Sequence, residues 1–385
     1  MTKRISIFGA TGSIGDSTLD IIRKSPKNAF KILGLSANKN YKKLAQNAIE
    51  FGVQLAVISD QTKYNDLKEA LAGTGIKAAA GISGMLEICS LKNDLVVAAI
   101  VGIAGLLTTY QSLKNGVNVA LANKESLVCA GKIIKGVCAK TGAKIIPVDS
   151  EHNAIFQVLD AQNQEAVSKI ILTASGGPFR KYSQQELELV TTEAALKHPN
   201  WVMGQKVTID SASLFNKGLE TIEAHYLFDI APDDIEVVIH PESIIHSMVN
   251  YRDGSTLAQL GEHDMKVPIT HALYWPKRYS EHTQIVNNLD FFTLKQLNFE
   301  RPDIAKFPSL TMCMDAIKIG GSAPIALNSA NEIAVEMFLN KAIGFTDIFK
   351  IVQRTLANYQ HHDVESIDDV IALDQQFRKM ASFRN

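Results

Sequence analysis

Short apolar runs alternate with amphipathic segments over the first 150 residues, and this alternation constrains the fold more than any other feature. The runs predict strands at residues 5–8, 31–35, 55–58, 95–99, 117–121 and 144–148, and the segments at 14–23 and 41–50 predict helices. Strands that alternate with helices form βαβ units, whose strands lie parallel in one sheet. The sequence therefore predicts an α/β protein with a Rossmann-like N-terminal domain, residues 1–146.

The pattern changes after this domain. Residues 147–276 contain longer polar loops, two predicted helices and a hairpin turn at 252–255 that joins predicted strands at 244–251 and 256–260. This pattern predicts a central α+β domain. Residues 277–302, between two prolines, predict a linker. Residues 303–385 predict a C-terminal α-helical domain, because apolar residues recur at helical spacing at 326, 330, 334 and 338.

The composition argues against several partners and locations. The 385 residues include 39 basic and 40 acidic side chains, for a net charge of -1, so we expect no nucleic acid partner. The chain begins with a short strand, and its longest strongly apolar stretch, 95–107, contains two glycines, so we expect neither a secretion signal nor a membrane span. The four cysteines show no metal-ligand spacing, which is typical of reduced thiols in the cytoplasm.

Three glycines follow the first predicted strand and open the first predicted helix, at Gly9, Gly12 and Gly15. Glycines let the chain turn tightly and let a pyrophosphate approach the N–H groups at a helix start. The spacing is GxxGxxG rather than GxGxxG, and glycine turns after strands are common. The position of the turn in a βαβ unit nevertheless favours a dinucleotide site.

The loop after the second predicted strand bears on which dinucleotide binds. NAD enzymes tend to carry an acidic residue there, which binds the ribose 2′-hydroxyl. This chain has Asn38, Lys39 and Asn40 instead, which can donate hydrogen bonds to a 2′-phosphate. The loop therefore favours NADP, and the alternative is an ordinary polar loop.

Two carboxylates, Asp149 and Glu151, follow the strand predicted at 144–148, at the sheet edge where such folds bind ligands. In an extended chain, residues two apart point to the same side, so both could face one cation. Carboxylate oxygens suit a hard divalent ion, magnesium or manganese, better than zinc. A solvated loop is the alternative.

A helix predicted at 211–228 supplies a third carboxylate, Glu220. Its polar face also carries Ser213, Asn216 and Lys217. A solvated face would look similar, and Lys217 with Glu220 could be an i,i+3 ion pair. Gly218, which costs a helix up to about 1 kcal/mol relative to alanine, favours close approach of a ligand instead.

Two loops complete the candidate site. Residues 173–178 contain Ser175 and two glycines after a predicted strand, which is typical of an anion nest and would join Ser211, Asn216 and Lys217 around a phosphate. The alternative is a plain glycine turn. Residues 198–204 place Trp201 and Met203 between a proline and a glycine, which predicts a lid that excludes water. A loop whose aromatic side chain fills the core is equally compatible with this pattern.

Seven motifs, in order along nearly the whole chain, resemble the 1-deoxy-D-xylulose 5-phosphate reductoisomerase family. They are GSIG at 12–15, ANKESLV at 122–128, PVDSEHN at 147–153, TASGGPF at 173–179, HPNW at 198–201, NKGLE at 216–220, and ALN with ANE at 326–332. Three residues depart from the family pattern. His263 stands where many relatives have proline, Ala10 where serine is frequent, and Asn38 where glycine is frequent.

The resemblance implies roles for individual residues. Asp149, Glu151 and Glu220 would hold the metal, while Lys124, Ser150 and His198 contact the hydroxyl and carbonyl end of the substrate. The phosphate would be held by Ser175, Ser211, Asn216 and Lys217, with Trp201 as a cover and Met203 beside it. The NADPH site would be lined by Thr11, Gly12, Ser13, Ile14, Ala37, Asn38, Lys39, Asn40, Asn123, Glu125, Gly204 and Met265. His152 and His246 also match family positions.

The resemblance also implies an activity. The enzyme would use NADPH and Mg²⁺ or Mn²⁺, with Co²⁺ as a further candidate, to convert 1-deoxy-D-xylulose 5-phosphate into 2-C-methyl-D-erythritol 4-phosphate in the non-mevalonate isoprenoid pathway. A homodimer is expected. The alternatives are another NADP-dependent dehydrogenase or semialdehyde reductase, and a non-catalytic nucleotide-sensing protein. The presence of Lys124, Asp149, Glu151 and Glu220 argues against the last.

Overall fold

The structure is a computed structural model that describes residues 2–198, 201 and 203–383. The chain divides into two compact units, each assembled from separate stretches of sequence. The first unit comprises Met1–Ser126, Ile134–Asn153 and Asp264–Asn287, and the second comprises Leu127–Ile133, Ala154–His263 and Asn288–Asn385. The three-domain division at residues 146, 276 and 302 stays a prediction.

The first half of the chain alternates strands and helices as the apolar runs predict. Its elements are β1 (Lys3–Phe8), α1 (Ser13–Lys24), β2 (Phe30–Ala37), α2 (Tyr41–Phe51), β3 (Leu55–Ile58), α3 (Tyr64–Ala70), β4 (Lys77–Ala80), α4 (Gly81–Cys89), β5 (Leu95–Ala98), α5 (Leu106–Lys114), β6 (Asn118–Leu121), α6 (Lys124–Thr141), β7 (Ile145–Pro147) and α7 (Ser150–Val158). The strands are rich in aliphatic residues because the sheet is covered on both faces. Ile5 and Ile7 in β1, for example, are fully buried.

Seven parallel strands form the sheet of the first unit, in the order β4-β3-β2-β1-β5-β6-β7. The strand order reverses between β1 and β5, and ligands of open α/β sheets bind at the carboxyl ends of the strands at such a reversal. The glycine turn after β1 lies at this edge. The α/β, Rossmann-like fold class is therefore confirmed.

The second half of the chain builds a smaller mixed sheet and most of the remaining helices. The elements are β8 (Val167–Ala174), α8 (Gln184–Glu188), α9 (Thr192–Ala195), α10 (Gln205–Ala212), α11 (Phe215–Phe228), β9 (Ile235–Ile239), β10 (Ile245–Tyr251), β11 (Thr256–Leu260), α12 (Lys266–Tyr274), α13 (Ser309–Ile319), α14 (Ala323–Leu339), α15 (Asp347–Asn358) and α16 (Ile367–Ser382). The sheet has the order β11-β10-β8-β9. The predicted hairpin is found, because β10 and β11 pair antiparallel.

One helix prediction is wrong in this region. The helix expected at 211–228 is two helices, α10 and α11, separated at Leu214, whose φ of 59° is left-handed. The Ser213 hydroxyl donates a hydrogen bond back to the carbonyl oxygen of Ile209 at 2.9 Å. Serine side chains compete with backbone hydrogen bonds in this way, which favours helix ends. The central region also has more than the two helices expected from its sequence.

The C-terminal helices pack around α14. The four positions predicted to face the core, Ala326, Ala330, Ala334 and Phe338, are all buried. Between Pro276 and Pro308, every residue of which is described, the chain forms neither helix nor strand and makes one isolated β-bridge, Ile239 to Glu300. Within the described residues, no helix combines the length and apolar character that crossing a membrane would require.

Candidate active site

The turn between β1 and α1 is closed so tightly that only glycine fits. Gly9 has a φ of +82°, and a Cβ atom there would lie 2.5 Å from the carbonyl oxygen of Ala99. A Cβ atom on Gly15 would lie 2.4 Å from the carbonyl oxygen of Gly9. Gly12 begins α1 without a side-chain cap, which leaves the first N–H groups of that helix for an anion. The geometry therefore fits a pyrophosphate, with Thr11, Ser13 and Ile14 on the same turn.

The loop after β2 leaves Asn38, Lys39 and Asn40 exposed beyond buried Ala37. Asn40 has a structural task as well, because its side-chain oxygen accepts a hydrogen bond from the N–H of Lys43 at 3.2 Å and so caps α2. Asn38 and Lys39 are accordingly the better candidates for a 2′-phosphate.

Asn123 shapes the neighbouring turn. Its amide nitrogen donates to the carbonyl oxygens of Ile100 and Gly102, each at 2.6 Å, and its oxygen caps α6 by accepting from the N–H of Ser126 at 2.9 Å. The same amide nitrogen lies 3.1 Å from the Glu125 carboxylate. Asn123 therefore fixes the loop after β5 at the predicted NADPH edge. Met265, also in the first unit, is half-buried before α12.

Lys124 and Asp149 form a short ion pair in the first unit. Lys124 Nζ lies 2.5 Å from Asp149 Oδ2, and the lysine side chain is 8% exposed. The extended conformation expected for 149–151 is wrong, because α7 begins at Ser150. Asp149 and Glu151 nevertheless offer carboxylate oxygens within 4.8 Å of each other. The positive end of the α7 dipole favours negative charge at this point.

Ser150 and His152 flank these carboxylates. The Ser150 hydroxyl donates to Glu151 Oε2 at 2.5 Å, so it orients one of the predicted metal ligands. His152 is fully buried, and a ring nitrogen lies within 4.8 Å of an Asp149 oxygen.

In the second unit, α11 carries Asn216, Lys217 and Glu220 on one side. Lys217 Nζ makes a short contact with Glu220 Oε2, and Asn216 Nδ2 donates to Glu220 Oε1 at 2.5 Å. Lys217 and Glu220 are 3% and 0% exposed, so the solvated-face alternative is wrong, and the i,i+3 ion pair is present but buried. A lysine and a glutamate removed from water suit a ligand site better than a surface.

Gly218 has a different role from the one expected. A Cβ atom there would lie 2.5 Å from Cys313 Sγ and 3.2 Å from the carbonyl oxygen of Ser309. The missing side chain makes room for α13, so the interpretation that Gly218 lets a ligand approach is wrong.

The loop after β8 lies against the end of α10. Gly176 and Gly177 both have left-handed φ values, and the N–H of Gly177 donates to Ser175 Oγ at 3.2 Å. A Cβ atom on Gly177 would lie 2.9 Å from the carbonyl oxygen of Ser211. The structure thus brings the loop of Ser175 against Ser211, as the predicted phosphate cradle requires.

The predicted lid is described only in part, because Pro199, Asn200 and Val202 lie outside the described residues. The N–H of Trp201 donates to His198 Nδ1 at 2.9 Å, and His198 Nε2 lies 3.1 Å from Ser175 Oγ. The Trp201 ring contacts two imidazoles, with centroids 6.1 Å away for His246 and 5.7 Å for His263. Gly204 begins α10 without a side-chain cap.

The structure also brings forward residues without a predicted role. Asp210 is 1% exposed on α10, where it pairs with Lys206 at 2.7 Å and accepts a hydrogen bond from Asn331 Nδ2 at 2.9 Å. The i,i+4 spacing of Lys206 and Asp210 is visible in the sequence. The contact with Asn331, 121 residues away, is not.

Three features together define the class of protein. They are the glycine turn at the reversal of strand order, the buried lysine beside two carboxylates, and the loop of serine and glycines after β8. The class is that of dinucleotide-dependent α/β enzymes that act on small phosphorylated substrates. Three family models match the chain: 1-deoxy-D-xylulose 5-phosphate reductoisomerase at residues 5–131, the C-terminal domain of this enzyme at 145–228, and a second DXP reductoisomerase C-terminal domain at 260–380.

Individual relatives agree with these models. The 1-deoxy-D-xylulose 5-phosphate reductoisomerase of Zymomonas mobilis is 49% identical over 380 residues, which are 99% of this chain and 97% of the relative. That of Agrobacterium fabrum is 48% identical over 384 residues, with 99% and 96% covered. The chain belongs to the 1-deoxy-D-xylulose 5-phosphate reductoisomerase family.

Solved structures lead to the same family. The Zymomonas mobilis enzyme in complex with NADPH has a TM-score of 0.93 at 48% identity, with 99% of this chain and 98% of that chain covered. A DOX-P reductoisomerase in complex with NADPH, fosmidomycin and magnesium has a TM-score of 0.93 at 43% identity, with 99% and 97% covered. At the level of the family, the predictions of an NADP-dependent oxidoreductase, of NADPH and of magnesium are confirmed. Manganese and cobalt stay predictions.

Proposed function

We propose that the chain converts 1-deoxy-D-xylulose 5-phosphate into 2-C-methyl-D-erythritol 4-phosphate with NADPH and a divalent metal ion, a step of isoprenoid biosynthesis. The observation that carries the proposal is the ion pair of buried Lys124 with half-buried Asp149, with the Glu151 carboxylate beside it at the start of α7. A dehydrogenase of the simple kind has no need of this cluster in addition to its nucleotide turn.

The metal ligands we propose are Asp149, Glu151 and Glu220. The donor set is made of hard oxygens only, which suits Mg²⁺ or Mn²⁺. Three solved structures of DOX-P reductoisomerase that are similar to this chain contain magnesium. When bound, the ion polarises the ketone of the substrate and favours loss of a proton from the neighbouring hydroxyl.

The side chains around these ligands would handle the reacting end of the substrate. Lys124 Nζ, buried and positively charged, would stabilise negative charge that develops on a substrate oxygen. Ser150 and His198 would orient the hydroxyl and carbonyl groups. After the carbon skeleton rearranges, NADPH would reduce the branched aldehyde phosphate by hydride transfer.

The phosphate of the substrate would lie among Ser175, Ser211, Asn216 and Lys217. Support comes from the serine and glycine loop packed on Ser211, and from the buried lysine on α11. Trp201 would cover the substrate, with Met203 beside it, and exclude water. The NADPH site would be lined by the glycine turn after β1 and the loops at 37–40 and 123–125, with Gly204 and Met265.

Two further expectations belong to this proposal. We propose a homodimer and a cytoplasmic location, both implied by the resemblance and by the composition. Analytical ultracentrifugation of the pure protein tests the first, and fluorescence microscopy of a tagged chain tests the second.

The deciding experiment follows the absorbance of reduced nicotinamide when the pure protein is mixed with 1-deoxy-D-xylulose 5-phosphate, NADPH and Mg²⁺ or Mn²⁺. We expect oxidation of NADPH that stops when the metal is chelated and resumes when it is restored. Oxidation with a semialdehyde but not with the sugar phosphate would favour the alternative dehydrogenase. NADPH binding without turnover of either would favour a nucleotide-sensing protein.

A further inference from the structure

The predicted phosphate cradle is anchored by residues of the C-terminal helices that have no assigned role. Ser211, a predicted phosphate ligand, is the next residue after Asp210 on α10. Asp210 is buried, so its carboxylate needs a partner for each oxygen. Oδ2 pairs with Lys206 at 2.7 Å, and Oδ1 accepts from Asn331 Nδ2 at 2.9 Å.

Asn331 reaches Asp210 from the middle of α14 and is itself fully buried. Its amide nitrogen donates to Asp210, whereas its amide oxygen has no hydrogen-bond partner among the described residues. A buried amide oxygen without a partner is unfavourable for folding. The side chain therefore contributes less to stability than a fully bonded amide would.

A second contact holds the same segment. The hydroxyl of Ser309, at the start of α13, donates to the carbonyl oxygen of Ser213 at 2.7 Å. Ser213 lies between α10 and α11, directly before the left-handed Leu214. The C-terminal helices thus contact this segment on both sides of Ser211.

Little space exists for Ser211 to shift. If Gly177 carried a Cβ atom, that atom would lie 2.9 Å from the carbonyl oxygen of Ser211 and 3.1 Å from the Cα atom of Ala212. A movement of α10 along its axis would therefore change the contact between Ser211 and the loop of Ser175. The hydrogen bond from Asn331 to Asp210 opposes that movement.

We propose that Asn331 is a positioning residue for the substrate phosphate: by holding Asp210, it fixes Ser211 against the Gly176–Gly177 loop. The inference rests on the proposed function only in taking this cradle as the phosphate site. It assigns a part of substrate recognition to the C-terminal helices, whose residues belong to none of the predicted ligand sets.

The chain offers a matched control on the same helix. Asn328 lies one turn before Asn331 on α14, is equally buried, and also has an amide oxygen without a partner among the described residues. Its amide nitrogen donates to Glu332 at 3.1 Å instead of to α10. Substitution of either asparagine by alanine removes one side-chain hydrogen bond from the same buried helix.

The test measures the affinity of the full-length protein for inorganic phosphate by calorimetry, together with the melting temperature and the dissociation constant of NADPH. We expect Asn331→Ala to weaken phosphate binding about tenfold and to raise the KM for the sugar phosphate by a similar factor, with little change in kcat or in NADPH affinity. Asn328→Ala should lower the melting temperature about as much as Asn331→Ala does, but it should leave the phosphate affinity unchanged.

A reciprocal exchange separates positioning from general damage. Asn331→Asp alone sets two carboxylates against each other and should weaken phosphate binding. The double variant Asp210→Asn with Asn331→Asp restores an amide-carboxylate pair but removes the ion pair of Lys206 with Asp210, so it should recover part of the affinity that Asn331→Asp loses. If Asn331→Asp does not fold, a folded double variant that binds phosphate more tightly than Asn331→Ala still supports the pair.

Three results would overturn the inference. They are equal losses of phosphate affinity in Asn331→Ala and Asn328→Ala, an unchanged affinity in Asn331→Ala, and no phosphate binding by the wild-type protein. Failure of the proposed function looks different, because the wild type would then bind phosphate and respond to Asn331→Ala but would not turn over the sugar phosphate.

Discussion

Charged side chains that the sequence places in the candidate site are withdrawn from water. Lys124, Lys217 and Glu220 are 7%, 3% and 0% exposed. A buried charge costs several kcal/mol unless it is paired, and even a paired one seldom stabilises a fold more than apolar residues would. Lys124 pairs with Asp149 and Lys217 with Glu220. Burial of this kind supports the proposal that these side chains belong to a ligand site.

Glu220→Gln tests the predicted metal ligand. Because the amide carries no charge, we expect turnover to fall by about a hundredfold or more, since even residues that only support metal ligands contribute about 10- to 100-fold. NADPH affinity, measured by fluorescence titration, should stay nearly intact. The control is Glu332→Gln, which replaces a partly buried glutamate of α14 that pairs with Arg378 and lies outside the predicted ligand set. Equal loss of NADPH affinity in Glu220→Gln would mean that the metal site is misplaced.

At the scale of elements, the sequence predicts the strands and helices whose positions are determined by the pattern of apolar residues. The strand at Leu55–Ile58 is found with the predicted bounds. The strand β4, with the sequence KAAA, was missed because alanine and lysine are poor strand formers. The break at Leu214 was missed because a hydrogen bond from Ser213, and not a glycine or proline, ends α10. The burial of Lys217 and Glu220 was not readable because it depends on packing from distant segments.

Gly218→Ala tests how α11 packs on α13. The added Cβ atom would lie 2.5 Å from Cys313 Sγ, and overpacking of this kind costs about 1–3 kcal/mol. We expect a lower urea midpoint, partly restored by adding Cys313→Ala. Gly136→Ala in α6 is the control, because its Cβ atom meets nothing within 4 Å. Unchanged stability of Gly218→Ala would mean that the contact between α11 and α13 does not require glycine at this position.

One histidine of α12, His271, is expected to make the stability of the first unit depend on pH. Burial, with a smaller contribution from Arg278, lowers the pKa of His271 from 6.5 to about 4. Between these two values the unfolded chain binds more protons than the folded one, so the free energy of unfolding falls as the pH falls from 6.5 towards 4.

Urea unfolding at pH 7 and pH 4.5 measures this effect. We expect His271→Asn to lose less stability between the two pH values than the wild type does. His282→Asn, at an exposed position, should behave like the wild type. The same pH dependence in all three proteins would mean that His271 titrates normally in the folded state.

At the scale of the whole molecule, neither unit is a continuous stretch of chain. The sequence passes between the units five times, after Ser126, Ile133, Asn153, His263 and Asn287. The returning segment that contains α12 is bound tightly to the first unit. Lys3 Nζ donates to the carbonyl oxygens of Leu273 at 2.6 Å and Trp275 at 2.9 Å. The rings of Phe30 and Tyr274 pack edge to face at 5.2 Å.

A fragment that ends at residue 153 tests how much the segment that contains α12 contributes to the stability of the first unit. We expect the fragment to be less stable to urea than the same fragment with residues 264–287 joined by a flexible linker, because α12 covers apolar surface of the first unit. A linker-joined segment of scrambled sequence is the control. Equal stability of the two fragments would support an autonomous N-terminal domain with a boundary near 146.

The late position of α12 in the sequence has a consequence for synthesis on the ribosome. Translation proceeds from the N-terminus, so β1 emerges early but Leu273 and Trp275, which accept hydrogen bonds from Lys3, emerge only after the strands of the second sheet. The first unit of the nascent chain is therefore incomplete while most of the second sheet is already outside the ribosome. The first unit acquires its last segment only with residues that follow β11, so its completion depends on synthesis of nearly three quarters of the polypeptide.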